Sequence, residues 1–243
     1  MIKIIIPAGV LVFVLLGAPD LWACGASAGS SGVAVCNLSE ERENVSENWH
    51  VGGGYSFSET KIVFSQGGVD HKLAQSRHVA LASLEWRSTP RWNFQFGAGA
   101  LVAGRFETAG GPLDFNPGFV GMIGTSALVV KNDGAVPFVL GTAQLSGVTS
   151  STKNDVGYHA LDLRVGAAVG WTFFRTLSPY AVARAFGGPV FWELNGAKVI
   201  GTDLYKYQLG AGVSYMIANR LDLFVEGIGL GERGISAGLG LSL

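Results

Sequence analysis

Over its last forty residues the chain alternates with a period of two, and no other feature limits its fold so sharply. From Asp203 to Tyr215, residues Tyr205, Tyr207, Leu209, Ala211, Val213 and Tyr215 fall on one face. Lys206, Gln208, Gly210, Gly212 and Ser214 fall on the other. Ala218-Asn219-Arg220 turns the chain into Leu221–Glu226, which alternates again. A helix would repeat its apolar positions every three to four residues, so these segments are strands.

The second face decides what kind of strand. In a soluble sandwich the wet face carries dense charge. Here the apolar face ends in aromatics, and the opposite face holds small residues with an occasional charge. A strand of about ten residues facing lipid on one side and a narrow polar interior on the other has this appearance. Composition agrees: 48% of residues are hydrophobic and only 14% charged. Past residue 16 no apolar run reaches the ~18 residues of a membrane-spanning helix, so the hydrophobicity is spread along strands. The 36 glycines suit a crowded barrel interior and its bends.

Read in order, the chain predicts about ten strands. The first seven are Trp49–Phe57, Arg77–Arg87, Trp92–Val102, Gly118–Val130, Phe138–Ser146, Tyr158–Trp171 and Pro179–Gly187, and three closing strands follow Asp203. Eight remains an alternative, because the fourth alternates weakly and Arg184 and Phe186 share a side in the seventh. Long polar connections are expected at Ser58–Ser76, Phe106–Pro117, Gly147–Gly157 and Gly188–Thr202, with Lys61–Phe64 able to prolong the first strand. They alternate with short turns such as Ser88–Arg91 and Lys131–Gly134. Long loops on one side and tight turns on the other are a second mark of a membrane barrel, and an even strand count leaves both termini on the turn side.

The first 48 residues lack this pattern. Lys3, the apolar Ile4–Leu16 and the small-residue segment Gly17–Ala28 form a secretory signal, cleaved after Ala23 or after Ala28. The expected division is therefore a signal peptide over 1–23, a periplasmic lead-in over 24–48 and a barrel over 49–243. Cys24 and Cys36 can close a disulfide in an oxidising compartment. The alternative is lipidation of Cys24, since Leu21-Trp22-Ala23-Cys24 is similar to a lipobox apart from Trp22.

On these strands and loops the chain resembles the small bacterial outer-membrane β-barrel proteins, the OmpA/OmpX-like group in its wider sense. The resemblance covers about Trp49–Leu243 and implies a closed antiparallel transmembrane up-and-down barrel in the outer membrane. It also implies contact with outer-membrane lipid and lipopolysaccharide, insertion by the barrel-assembly machinery, and a monomer. Leu243 departs from the aromatic residue that commonly ends such chains.

No motif carries chemistry. Gly229-Leu230-Gly231-Glu232-Arg233-Gly234 fits a dinucleotide fingerprint, but strand rather than helix follows it, so it reads as a hairpin turn. Asp70 and His71 with His159 and Asp162 suggest an outer-membrane hydrolase, without the strand motifs of one. Four histidines without paired spacing do not make a metal site, and no cofactor is implied. A net charge of −1 with no basic block gives nucleic acid nothing to bind.

Two residue sets remain as candidates. Trp49, Trp86, Trp92, Trp171, Tyr180 and Tyr215 are expected as interfacial aromatics. Glu85, Asp162, Arg164, Lys206, Asp222 and Glu226 are expected to point into the barrel. A barrel of this size has little lumen, so such charges pair and fill it. The first expectation is thus a structural or surface-interaction protein rather than an enzyme. A narrow porin-like channel is the alternative, and a hydrolase or a soluble lipocalin-like barrel comes behind it. The intact mass of the mature protein separates the cleavage sites: one places Cys24 first, the other Gly29.

Overall fold

The computed structural model describes residues 49–243 except 90, 109, 154, 195 and 218–220. The cysteine pair, the signal and the lead-in lie outside these residues. Among the described residues thirteen strands form one antiparallel sheet that closes on itself. They are β1 (Trp49–Gln66), β2 (Val69–Thr89), β3 (Trp92–Thr108), β4 (Gly111–Asp114) and β5 (Gly118–Val130). Then come β6 (Phe138–Ser151), β7 (Gly157–Gly170), β8 (Leu177–Gly187), β9 (Pro189–Leu194) and β10 (Ala197–Asp203). The last are β11 (Tyr207–Ile217), β12 (Leu221–Gly231) and β13 (Arg233–Ser242).

These occupy ten positions in the wall, because three positions are each filled by two strands in succession. β4 and β5 lie against β3 in one register, Arg105 opposite Asp114 and Leu101 opposite Gly118. β8 and β9 do the same against β7, Leu163 opposite Gly187 and Ala160 opposite Val190. β10 and β11 share the next position, broken at Leu204–Lys206. Closure comes from β13 on β1, with ten cross-strand partners from His50–Ser242 to Glu59–Arg233. The weak fourth and ambiguous seventh strands, β5 and β8, both belong to the wall, so it has ten strands.

The expected long loops need correction. Ser58–Ser76 is a continuation of the β1–β2 hairpin, turning at Gly67–Gly68, where both glycines have positive φ. Phe106–Pro117 is largely the β3–β4 hairpin, Gly188–Thr202 the β9–β10 hairpin, and β6 runs on to Ser151. Their polar outer residues hid the alternation. Strand residues above a lipid belt face water, so both faces no longer need to differ sharply in hydropathy.

The wall also narrows towards this extended end. The β12–β13 hairpin stops at Gly231–Arg233, and above it β10 crosses to β1, setting Ile62 opposite Asp203 and Phe64 opposite Gly201. The Leu204 amide donates to the Lys61 carbonyl at 2.7 Å, which seals the step. Two strand positions are lost, leaving about eight around a tighter space.

Outside, a continuous apolar belt faces away from the interior. Leu84, Phe96, Ile123, Leu145, Val165 and Val225 are each about half exposed. At the turn end it finishes in Trp49, Trp86, Trp92, Trp171 and Tyr215, which are 40–47% exposed. In water such a surface far exceeds the apolar patches that soluble monomers tolerate. In a bilayer it is the lipid-facing band of a transmembrane barrel and its interfacial girdle. No described helix is long and apolar enough to cross a membrane. Unboiled protein from the membrane fraction is expected to run faster than boiled protein on a detergent gel. Identical mobility would contradict a closed, detergent-resistant wall.

Candidate functional site

Among the described residues, buried charge gathers in the interior, and it does so in tiers. At the turn end, His50 and Asp222 are fully buried and meet through Nε2 and Oδ1 at 2.9 Å. Gly240 lies opposite Asp222, and a side chain there would collide with the His50 ring. Glu85, also fully buried, accepts from Asn93 at 2.9 Å and sits 3.4 Å from Arg87.

In the next tier the Arg184 guanidinium donates to both carboxylate oxygens of Glu226, each at 2.9 Å. The Tyr180 hydroxyl donates to the same carboxylate at 3.2 Å. Planar two-point contacts of this kind are the strong form of the arginine–carboxylate pair. A third tier centres on Arg164, 2.6 Å from Asp162 on its own strand and 2.8 Å from Glu232 across the barrel. Its guanidinium also covers the Phe186 ring at 4.9 Å. Arg184 and Phe186 share a side because both point inward. Arginine needs carboxylates there, and the aromatic ring suits the flat face of a second guanidinium.

Above the ions the interior turns apolar. Gln75 donates to Tyr158 at 2.8 Å, and around and beyond that bond lie Ile62, Phe64, Phe106, Phe115 and Trp192, all at most 5% exposed. Phe106 is the hub: its ring lies 4.7 Å from Trp192, 5.1 Å from Phe115, 5.7 Å from Tyr158 and 6.1 Å from Phe64. Between the two zones a space of about 20 Å³ is bounded by Arg77, Val120, Met122 and Asp162. That is room for about one water molecule.

Of the expected interior charges, Glu85, Asp162, Arg164, Asp222 and Glu226 project inward and are at most 9% exposed. Lys206 does not. It lies in the break between β10 and β11, where the alternation lapses; it is exposed and bonds the Thr202 hydroxyl. Tyr180 is the second correction: it is 4% exposed and inside the barrel, not at the interface. Gly212 makes the room, since a Cβ there would stand 2.5 Å from the Tyr180 hydroxyl.

Sequence reading missed the partners. His50 and Arg184 sit at inward positions of their strands, while Glu232 lies in the expected last turn, between β12 and β13, and is buried there at 1% exposure. Arg77 and Asp203 lay at predicted strand ends. The upper aromatics fell in predicted loops, where alternate placement of Ile62 and Phe64 was the usable signal. Asp70, His71, His159 and Asp162 do not converge: His159 is exposed and bonds Thr149, while Asp162 points inward from the same strand. Among the described residues no three His, Cys, Asp or Glu side chains are grouped to hold a metal.

No family model matches the chain, and no curated protein does. Solved outer-membrane barrels are similar in outline. The outer-membrane protease OmpT of Escherichia coli has a TM-score of 0.47 at 9% identity, over 83% of this chain and 99% of that one. The outer-membrane protein OprG of Pseudomonas aeruginosa gives 0.46 at 8%, over 81% and 96%. The translocator domain of the autotransporter NalP of Neisseria meningitidis gives 0.42 at 11%, over 84% and 90%. Likeness at this level says nothing of activity.

Breaking one buried ion pair strands its partner, at about 3–5 kcal/mol. Glu226→Ala and Arg164→Ala are therefore each expected to lower the urea midpoint for loss of the fast-migrating folded band. Replacing Arg184 and Glu226 together by Met and Leu is expected to recover most of that loss. Unchanged midpoints in the single variants would mean that the pairs do not stabilise the barrel.

Proposed function

We propose that this protein is an integral barrel of the bacterial outer membrane with a structural or surface-interaction role, closed to solute flow. The observation that carries the proposal is the Phe106-centred aromatic core standing on the Arg164 and Arg184 ion pairs. Side chains fill the axis through both zones. A barrel of eight to ten strands is narrow enough for side chains to fill it, whereas conducting porins use more strands.

The secretory signal and the lipid-facing belt support the outer-membrane setting. In that setting the tight turns and both chain ends face the periplasm, and the narrowed, hairpin-built end faces outward. What the protein offers its surroundings is then its outer wall and the projecting hairpins. The exposed His159 of β7 is engaged by the Thr149 hydroxyl at 2.8 Å.

Purified protein reconstituted in planar bilayers is expected to give no stepwise conductance. Steady steps at neutral pH would replace this reading with that of a narrow channel.

A further inference from the structure

Just above the lipid belt, on the outer wall, a groove of about 640 Å³ opens where ten strand positions become eight. Its volume falls within the ~300–1,000 Å³ common for small-molecule sites. The floor is apolar and aromatic: Phe57, Tyr205, Tyr207 and Leu230, with the last two more than half exposed. The rim is charged: Lys61, Arg105 and Arg233, with Glu59 and Glu107 between them.

The position follows from the strands. Outward residues change from apolar to charged at one height, from Phe57 to Glu59 on β1, from Ile235 to Arg233 on β13, and from Val102 to Arg105 on β3. Cross-strand register lays Arg233, Glu59, Ser76 and Arg105 in one row, with Lys61 and Glu107 in the next above. The floor thus lies level with acyl chains and the rim level with headgroups.

The cations on this rim are available. Arg105 has only loose contacts, 3.8 Å to Glu107 and 3.7 Å to Asp114. Asp114 is engaged instead by Lys153 at 3.0 Å, whose hydrogen bond and charge hold that carboxyl below its usual range. His78, by contrast, is occupied by the Tyr55 hydroxyl at 2.5 Å and the Phe57 ring at 4.8 Å.

We propose that this groove binds a phosphorylated glycolipid of the outer leaflet. Lys61, Arg105 and Arg233 take the phosphates, Glu59 and Glu107 accept from sugar hydroxyls, and the tyrosines cover the apolar sugar face and the first acyl carbons. Phosphate alone would favour a purely cationic rim. The interspersed carboxylates fit an occupant that brings donors as well as negative charge. The site rests on the outer-membrane reading above, since only there does such a lipid surround the wall.

The test is retention of diphosphorylated lipid A, against phosphatidylglycerol, by detergent-purified protein measured in native mass spectra. Wild type is expected to retain lipid A and lose phosphatidylglycerol. Lys61→Ala, Arg105→Ala and Arg233→Ala combined is expected to weaken retention at least about tenfold. Glu59→Gln with Glu107→Gln is expected to erase the preference over phosphatidylglycerol. Should the triple variant fail to fold, Lys61→Gln and Arg233→Gln taken singly are each expected to cost about threefold. Equal retention of both lipids by wild type, or unchanged lipid A retention in the charge variants, overturns the site. Protein without a heat-dependent gel shift and recovered in the soluble fraction would instead overturn the outer-membrane reading.

Discussion

Backbone hydrogen bonding governs this structure. Within the hydrocarbon layer no water is present to satisfy an amide or a carbonyl, and each one left unpaired costs several kcal/mol. A sheet meets that demand only by closing, and here closure is made by the long run of β13 on β1. The same demand explains the step in the wall. Where the β12–β13 hairpin ends, β10 reaches across to β1 instead of leaving a bare edge. An unpaired strand edge is also the surface through which sheets aggregate, so the bridging strand protects as well as closes.

Closure sets the radius, and the radius makes the interior a packing problem. Charges inside a narrow barrel have little water to solvate them, and the two central arginines are held by carboxylates: Arg184 by Glu226, Arg164 by Asp162 and Glu232. Such pairs do not stabilise much against a well-packed apolar alternative. They do tie strands far apart in sequence to one register, since Arg164 and Glu232 lie on opposite sides of the chain's order. Beyond the bilayer the wall tightens and the outer face turns polar, so the interior there is built as an ordinary apolar core. At lipid height the ion pairs share the interior with a second apolar cluster that includes Leu128, Phe138, Leu140, Val182 and Ile228, and above the belt the core is aromatic and aliphatic.

Sequence pattern and structure diverge where the surroundings of a strand change. At lipid height one face must be apolar, so alternation is strong and Trp49–Phe57, Trp92–Val102 and Tyr207–Tyr215 are plain to read. Above the belt the outward face of the same strands meets water, and Glu59, Lys61 and Arg105 look like loop residues. A one-residue bulge between His78 and Val79 in the β2–β3 pairing hides the pattern further. It moves the inward set on β3 from Leu101 to Gly104 and Phe106, so Phe106 falls out of phase and the hub of the upper core is lost to sequence reading.

What the sequence determined by itself is the class of fold and the facing of most wall strands. Period-two alternation with lipid outside is a local property, repeated at each strand and independent of partner. It therefore placed Glu85, Asp162, Arg164, Asp222 and Glu226 in the interior without knowledge of what they meet. Tertiary structure alone decided the partners, because contacts such as His50 with Asp222 or Arg164 with Glu232 join residues whose separation carries no periodic signal. It also decided the inward turn of Tyr180, which depends on the space left by Gly212 on a neighbouring strand, and the exposure of Lys206, which lies in the break between β10 and β11.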